Sequence, residues 1–416
     1  MAVFNLPEEM EMEILSRLPI ESLMRFRCVS KQYRSLISDP YFVKFHSNRS
    51  ILSKKCQKIF SSSLPPESID FESLLDKKKM ENDSNDGSNA VVKLDCPLWS
   101  EDSHVHVIGS CNGLICYVVD WLYIILYNPS TRVSKELPKA PLLEKAGRVR
   151  CSYGFAFDSS EDDYKVVFGT HNNGTISIMF HMFSLRHDSW RRIQDLSLSH
   201  LEIFSLYDFG VFLNGALHWL LIPEGDINFE PLHGVIVCFD LSKEVFSEMS
   251  LGVQGKTFLS FRPLGAFEEC LYALSRPSNA NGTFVEEVWL MKEYGMNASW
   301  TKFITIPSNV GLDPTPLCLL RDDELLLKIE SGSGTELGSY HTKKKRFTRI
   351  CNCPHSSEPV LYVESLVSPN RFDGNDKRPQ PAGLGLIAVG LFMLWLMWLI
   401  FISFVFLLCR WMNVGS

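Results

Sequence analysis

Four short clusters in this 416-residue sequence carry residue types that could do chemistry. Cys351-x-Cys353-x-His355 puts three metal-ligating side chains within five positions, but no second half-site completes a tetrahedron. No cysteine pair has C-x-x-C spacing, and ordinary strand and loop cysteines are the simpler reading. His218 beside Trp219 would be a candidate base, yet it lies in an alternating run, which favours a strand histidine. Gly332-Ser-Gly334-Thr-Glu-Leu-Gly338 is glycine-rich without the lysine that a phosphate loop requires, so it reads as a loop. Lys343-Lys-Lys-Arg346, with Arg349, has the composition of a nuclear signal or phosphate patch. Its place between the second and third strands of a repeat favours a solvated hairpin. No HExxH, GxGxxG, P-loop or GxSxG pattern occurs. The expectation is a non-catalytic chain with no metal and no cofactor.

Charge excludes a further class. Lys and Arg number 41 against 48 Asp and Glu, a net charge of −7, which leaves no electrostatic footprint for nucleic acid. The N-terminus, MAVFNLPEEMEMEIL, has no basic region followed by an apolar one, so no secretory signal is read there. Twelve cysteines spread from Cys28 to Cys409 are not a dense disulfide framework, which places the chain in the cytoplasm, the nucleus or both.

Mean hydropathy is +0.01, and much of the excess sits in one place. Ala382 to Cys409 is 28 residues without a charge, an amide or a histidine. As a helix it would span about 42 Å, against about 30 Å for a bilayer core. Arg371, Lys377 and Arg378 precede the run and Arg410 follows it, which favours a cytosolic N-terminal side. Seven residues follow Cys409, so the run reads as a tail anchor inserted after translation. Trp395 and Trp398, mid-run rather than interfacial, count against that. The alternative is an extended C-terminus absent from the working protein, and both readings stay open.

The elements that must position any binding residue fall into two groups. Leu6-Pro7 followed by Glu8 and Glu9 starts a helix, and Met10, Ile14, Leu15 and Leu18 give it one apolar face. Pro19 breaks it. Ile20, Leu23 and Met24 open a second helix, and Ser30 caps a third that carries Tyr33, Leu36 and Ile37 and ends by Pro40. So short a unit cannot bury all these faces internally, and some must meet another protein or the next domain.

From about residue 105 to 367 the pattern is β. A strand ending in an aromatic, a polar turn and a second strand recur: Tyr127 to Leu137, Phe183 to Ile193, Phe239 to Met249, the longer Trp289 to Ile304, and Tyr340 to Ile350. An apolar hairpin precedes each. Units of about 50 residues with four strands point to a propeller near the kelch length. Residues 50–100, with SILSKKCQKIF, together with Pro359-VLYVESLV would close a sixth blade, which hides the sheet edges. Residues 65–89 are polar and read as a flexible insertion.

Both groups carry a resemblance. LPEEMEMEILSRLPIESLMRFRCVSKQYRSLISDPYFVKFH, from Leu6 to His46, resembles the F-box of plant F-box proteins. SCNGLICY, LYNPSTR, YGFAFD, DDYKVV, LNGALHWL, VWLMKEYG, SWTKF and YVESLVSP follow the order of the F-box-associated domain, and the tandem is similar to the S-locus F-box group. The implied fold is α+β: a three-helix F-box at 1–46, a linker and first blade strands at 47–104, and a kelch-like propeller of about six blades at 105–368. Beyond the resemblance, the residues read as a linker at 369–381 and an apolar transmembrane helix at 382–409. The resemblance implies a substrate-recognition subunit of an SCF-type ubiquitin ligase. Its F-box would hold a Skp-type adaptor, and through it a cullin, while the propeller recruits an unidentified protein target. The adaptor-binding residues carried over are Leu6, Pro7, Ile14, Leu15, Leu18, Pro19, Leu23 and Val29. Tyr33 departs from the tryptophan common in the family. The apolar tail is the main departure, and with it comes the alternative of a membrane-tethered interaction protein acting without a ligase.

Overall fold

The computed structural model describes residues 7–370, apart from 53–56, 71, 74–89, 101–102, 142–149, 172–176, 198–206, 222–234, 252–263, 278–284, 308–311, 322, 332–333 and 355–357. Leu6 and the apolar run 382–409 therefore lie outside the described residues. Among the described residues no helix is long and apolar enough to cross a membrane.

Pro7 opens helix α1 (Glu8–Leu15): its carbonyl accepts hydrogen bonds from the N–H groups of Met10 at 2.9 Å and Glu11 at 3.1 Å. Glu8, Glu9 and Glu11 put negative charge at the positive end of the helix dipole. Pro19 precedes α2 (Ile20–Val29), and the Ser30 hydroxyl caps α3 (Lys31–Ile37) by accepting from Tyr33 N–H at 3.1 Å. A fourth helix, α4 (Pro40–Leu52), begins where apolar periodicity placed an end. Proline fits its first turn, and Asp39 Oδ1 accepts from Tyr41 N–H at 2.8 Å. Its inward stripe is Phe42, Val43, His46, Ser47 and Ser50. Three of those five are polar, which hides the helix from a hydrophobic reading. Two of the polar groups are paired: His46 Nε2–H donates to the Leu18 carbonyl at 3.1 Å, and the Ser50 hydroxyl donates to Nδ1 at 3.3 Å.

The β chain opens with β1 (Gln57–Ser61), β2 (Glu67–Ile69) and β3 (Val91–Lys93). Next come β4 (Val105–Cys111), β5 (Leu114–Val119), β6 (Tyr123–Asn128) and β7 (Val133–Glu136), one antiparallel sheet. β8 (Arg150–Asp158), β9 (Asp163–His171), β10 (Ser177–Ser184) and β11 (Ser189–Arg192) form another ladder, with β12 (Leu196–Ser197) added on β10. β13 (Tyr207–Leu213), β14 (Ala216–Leu221), β15 (Val235–Asp240) and β16 (Val245–Ser250) follow. Parallel pairing of β13 with β8 joins these last two ladders in one nine-stranded sheet. β17 (Leu264–Phe267), β18 (Cys270–Ser275), β19 (Val285–Met291) and β20 (Trp300–Pro307) make a four-stranded sheet. So do β21 (Leu312–Arg321), β22 (Glu324–Ser331), β23 (Gly334–His341) and β24 (Arg346–Pro354). Finally β25 (Val360–Val363) returns to pair with β1, giving the order β25-β1-β2-β3. The first strands of successive ladders lie side by side: β25 by β4, β4 by β8, β13 by β17, β17 by β21. This is a propeller-like all-β domain.

Three expectations change. The insertion read at 65–89 contains β2, whose Ile69 pairs with Ile59 and whose Ser68 hydroxyl lies 2.6 Å from that of buried Tyr362. A three-residue strand has no periodicity to read, and only pairing buries it; residues 74–89 lie outside the described residues. The glycine-rich stretch is not a loop from Gly334 onward but strand β23. Gly338 is needed there because a Cβ would fall 2.1 Å from the Phe347 ring. The Lys343–Lys345 turn joins the third and fourth strands of its ladder, not the second and third, because the recurring motif is the outer strand pair.

The recurring aromatics explain the repeat. Tyr127, Phe183, Phe239 and Tyr340 are each 0% exposed, at equivalent points of β6, β10, β15 and β23. Trp289 is only half-buried, because a β-bulge shifts the register between Val288 and Trp289. Each short outer turn ends on a left-handed residue: Arg132, Asp188, Glu244 and Lys345, with φ between +48° and +59°. Within each ladder the strands are antiparallel, so connections alternate between two faces. One face carries mostly two- or four-residue turns. The other carries the long connections from Glu136 to Arg150, Arg192 to Tyr207, Leu221 to Val235 and Ser250 to Leu264.

Candidate functional site

Two amphipathic helices meeting a third can cover only one side of each, so the side left bare is the candidate surface. Leu15, Ile20, Leu23 and Ile37 form the buried centre of the helical unit, with Leu23 at 0% exposure. Around them Pro7, Met10, Ile14, Pro19 and Val29 are exposed, Ile14 at 51% and Val29 at 70%. Leu18, Met24, Phe26 and Tyr33 are half-buried. Phe26 and Tyr33 pack edge to face with centroids 5.7 Å apart.

Of the eight residues expected to bind an adaptor, Pro7, Ile14, Leu18, Pro19 and Val29 lie on the accessible side. Leu15 and Leu23 are core, and Leu6 lies outside the described residues. The apolar face of Met10, Ile14, Leu15 and Leu18 does not separate Leu15 from Ile14, because neighbours on a helix differ by 100° and either could face inward. Met10 was an apolar letter in the first helix; its 53% exposure adds it to the accessible set.

An ion network ties the helical unit to the β-domain. Lys44 on α4 pairs with Asp162 at 2.9 Å in the β8–β9 turn. Behind that turn Lys165, 1% exposed, donates to Asp158 at 2.6 Å and Glu161 at 2.9 Å. Glu244, from the β15–β16 turn, lies 3.9 Å from Lys165 and pairs with Arg191. Burial pushes the Asp158 carboxyl up, but the bonds from Lys165 and Ser160 outweigh it and hold it below its ordinary value. Burial likewise opposes the Lys165 charge, yet Asp158 and Glu161 hold its pKa above the ordinary value. All these groups lie on the short-turn face, where the chain from α4 also enters β1.

The chemistry clusters separate in space. His218 is fully buried in β14; burial pushes its pKa down, its Nδ1 faces the Val211 carbonyl at 3.0 Å and its Nε2 faces Tyr294 Oη at 2.7 Å. Both nitrogens are engaged, Nδ1 within its own ladder and Nε2 across to the β19–β20 connection of the next. Cys351 and Cys353 share a face of β24, and His355 lies outside the described residues. Burial pushes the thiols of Cys96 and Cys111 up to about 12. Among the described residues no three His, Cys, Asp or Glu side chains are placed to hold a metal.

Comparison with known proteins decides the family. An F-box domain matches residues 3–45, and an F-box associated beta propeller domain matches residues 67–369. The chain is an F-box protein of the F-box-associated propeller family. The Arabidopsis thaliana F-box/kelch-repeat protein At3g23880 is 30% identical over 374 residues, covering 88% of this chain and 96% of that protein. F-box protein CPR1, also from Arabidopsis thaliana, is 28% identical over 390 residues, covering 87% and 89%. Among solved structures, TolB from Acinetobacter baumannii aligns with a TM-score of 0.39 at 13% identity, over 62% of this chain and 57% of that one. That likeness is too loose to carry an argument.

Proposed function

We propose that this F-box protein is the target-recognition subunit of an SCF-type ubiquitin ligase. The observation that carries the reading is the bare apolar side of the helical unit, within a chain whose family pairs that unit with a propeller. Pro7, Met10, Ile14, Leu18, Pro19 and Val29 present the contact surface to a Skp-type adaptor, which bridges to a cullin; Leu6 extends it on sequence grounds. Leu15 and Leu23 hold the surface from behind. The β-domain, read as six four-stranded blades closed by β25 on β1, holds a protein target on the face of the long connections. The chain itself transfers nothing. It raises the effective concentration of target lysines near a loaded conjugating enzyme.

Co-purification with a Skp-type adaptor tests this. Ile14→Asp with Val29→Asp places charges on exposed positions, so the fold should survive while adaptor recovery falls at least about tenfold, one desolvated charge in an interface costing more than ~1.4 kcal/mol. Equal recovery of wild type and the variant would refute the docking surface. The uncharged run 382–409 supports a second, compatible element, a membrane anchor with the other domains cytosolic. Carbonate extraction of the intact chain, beside one lacking 382–409, tests it: full release of both forms removes the anchor.

A further inference from the structure

Trp121 stands where its size is unsuited. The β5–β6 turn has φ of +50° at Asp120 and +57° at Trp121. Of the two-residue turns with paired left-handed positions, Asn112-Gly113 and Asn214-Gly215 use the residues that tolerate this backbone and Glu268-Glu269 does not, so the backbone alone does not set Trp121 apart; its bulk and its neighbours do. A bulky aromatic at positive φ is an outlier, and such strain persists where the side chain has a task.

The rings around it form a cluster from three ladders. Trp121 stacks on His106 with centroids 4.2 Å apart and planes 29° apart. His106 lies 6.2 Å from Phe209, and Trp121 lies 6.2 Å from Tyr153. Tyr153 and Phe168, both buried, support the group at 5.2 Å. His106, Tyr153 and Phe209 sit near the starts of β4, β8 and β13, and Phe209 is the Cα partner of Tyr153. The cluster therefore lies at the face of the long connections, away from the helical unit. Trp121, His106 and Phe209 keep part of their surface exposed. Beside them the Asp120 carboxylate, 49% exposed, accepts from His104 N–H at 2.9 Å and lies 3.7 Å from the His104 ring.

We propose that this cluster is a recognition site for a cationic side chain, arginine or lysine, on the protein the propeller binds. Aromatic faces carry negative potential, and a guanidinium or ammonium over an indole gains from it. The carboxylate at the rim supplies the opposite charge, which selects a cation over an apolar side chain of the same reach. The inference rests on the reading that the propeller binds a protein, and it names the chemistry of one contact.

The test uses the full chain with ¹⁵N-labelled tryptophan, titrated with N-acetyl-arginine-methylamide and with its citrulline and norleucine counterparts. The Trp121 indole signal is assigned by its loss in Trp121→Gly, a variant that relieves the backbone and gives up the ring contacts with His106 and Tyr153; unchanged signals from the other tryptophans show that it is folded. The expected result is a saturable shift of that signal by the arginine probe, roughly tenfold weaker with citrulline or norleucine. Asp120→Asn should weaken the arginine response several-fold and leave the norleucine response unchanged. An equal response to norleucine would make the site apolar and overturn the proposal, and no response to arginine at tens of millimolar would overturn it too. Adaptor capture measured on the same samples separates the two readings. A silent Trp121 with intact capture removes this site alone, whereas lost capture removes the ligase reading.

Discussion

Lys165 offers the sharpest perturbation, because replacing it by methionine removes one charge from a buried set and changes little else. Its ammonium is 1% exposed and 2.6 Å from Asp158, which is 3% exposed. In Lys165→Met, Asp158 keeps the Ser160 N–H at 2.9 Å and the Ser160 hydroxyl at 2.6 Å but loses its countercharge. Breaking a buried pair from one side costs about 3–5 kcal/mol. Glu161, 52% exposed, rehydrates and adds little. At about 2 °C per kcal/mol for a domain this large, melting should fall by roughly 6–10 °C. Adding Asp158→Asn removes the stranded charge, so the double variant should regain more than half of the loss.

The pH dependence gives that experiment a second reading. Asp158 is held below its ordinary value, so its contribution is complete above the ordinary carboxylate range and is lost as pH falls through the folded value. Lys165 is held above its ordinary value, so its contribution is complete below the ordinary lysine range and is lost as pH rises through the folded value. Between those limits these two groups add no slope. Buried His218, held below its ordinary value, makes all three proteins lose stability as pH falls through the ordinary histidine range, so the quantity to read is the difference between them. In Lys165→Met, burial without the lysine raises the Asp158 carboxyl, so the deficit should shrink on acidification from pH 7 to about pH 5. Thermal unfolding followed by near-ultraviolet circular dichroism at both pH values reads all three proteins. A loss under about 1 kcal/mol at pH 7, or a double variant no better than the single, would refute the reasoning.

Three further expectations can be measured alongside. Asn128→Ala removes the amide that donates to the Ser365 carbonyl at 2.9 Å and the Val367 carbonyl at 2.7 Å, and so loosens the return of the C-terminal strand; about 2–4 kcal/mol of stability and faster hydrogen exchange in β25 should follow. Glu268-Glu269→Asn-Gly puts suitable residues at φ of +49° and +60° and should raise urea resistance by about 1–2 kcal/mol. Gly210→Ala would set a Cβ 2.7 Å from the Trp219 ring, which also donates to the Tyr153 carbonyl at 3.1 Å; a loss of about 1–3 kcal/mol should appear in the same assay.

The sequence made the outer strand pairs legible because one physical requirement recurs in them. An aromatic at 0% exposure, a four-residue turn and a left-handed closing residue leave the same trace at Tyr127, Phe183, Phe239 and Tyr340. What stayed hidden had no such trace. α4 turns polar His46, Ser47 and Ser50 inward, with His46 and Ser50 hydrogen-bonded, and β2 is too short for a period. The binding side of the helices was legible as composition but not as orientation. Leu15 and Ile14 are both apolar neighbours in α1, and only packing decides that one is 5% and the other 51% exposed.

The division of the propeller into two unlike faces bears on how one chain would serve the two partners proposed for it. On the short-turn face the backbone is fixed by left-handed residues at Arg132, Asp188, Glu244 and Lys345, and Asp162 there fixes Lys44 of α4. A two- or four-residue turn with a set φ has little freedom to change length without shifting the register of both strands it joins. The opposite connections that run from ladder to ladder, such as Ser250 to Leu264, join strands whose pairing is already set by other partners, so their length is cheap to vary. A surface that must keep meeting the same helices belongs on the first face, and one that must suit a particular target belongs on the second. By this argument, exchanging the long connections for those of a relative should alter what the propeller binds while leaving adaptor capture within about twofold of wild type, since no contact between the two faces has to change. A parallel loss of adaptor capture in such chimaeras, with the fold intact, would mean that the faces are coupled and that the separation drawn from the turns is wrong.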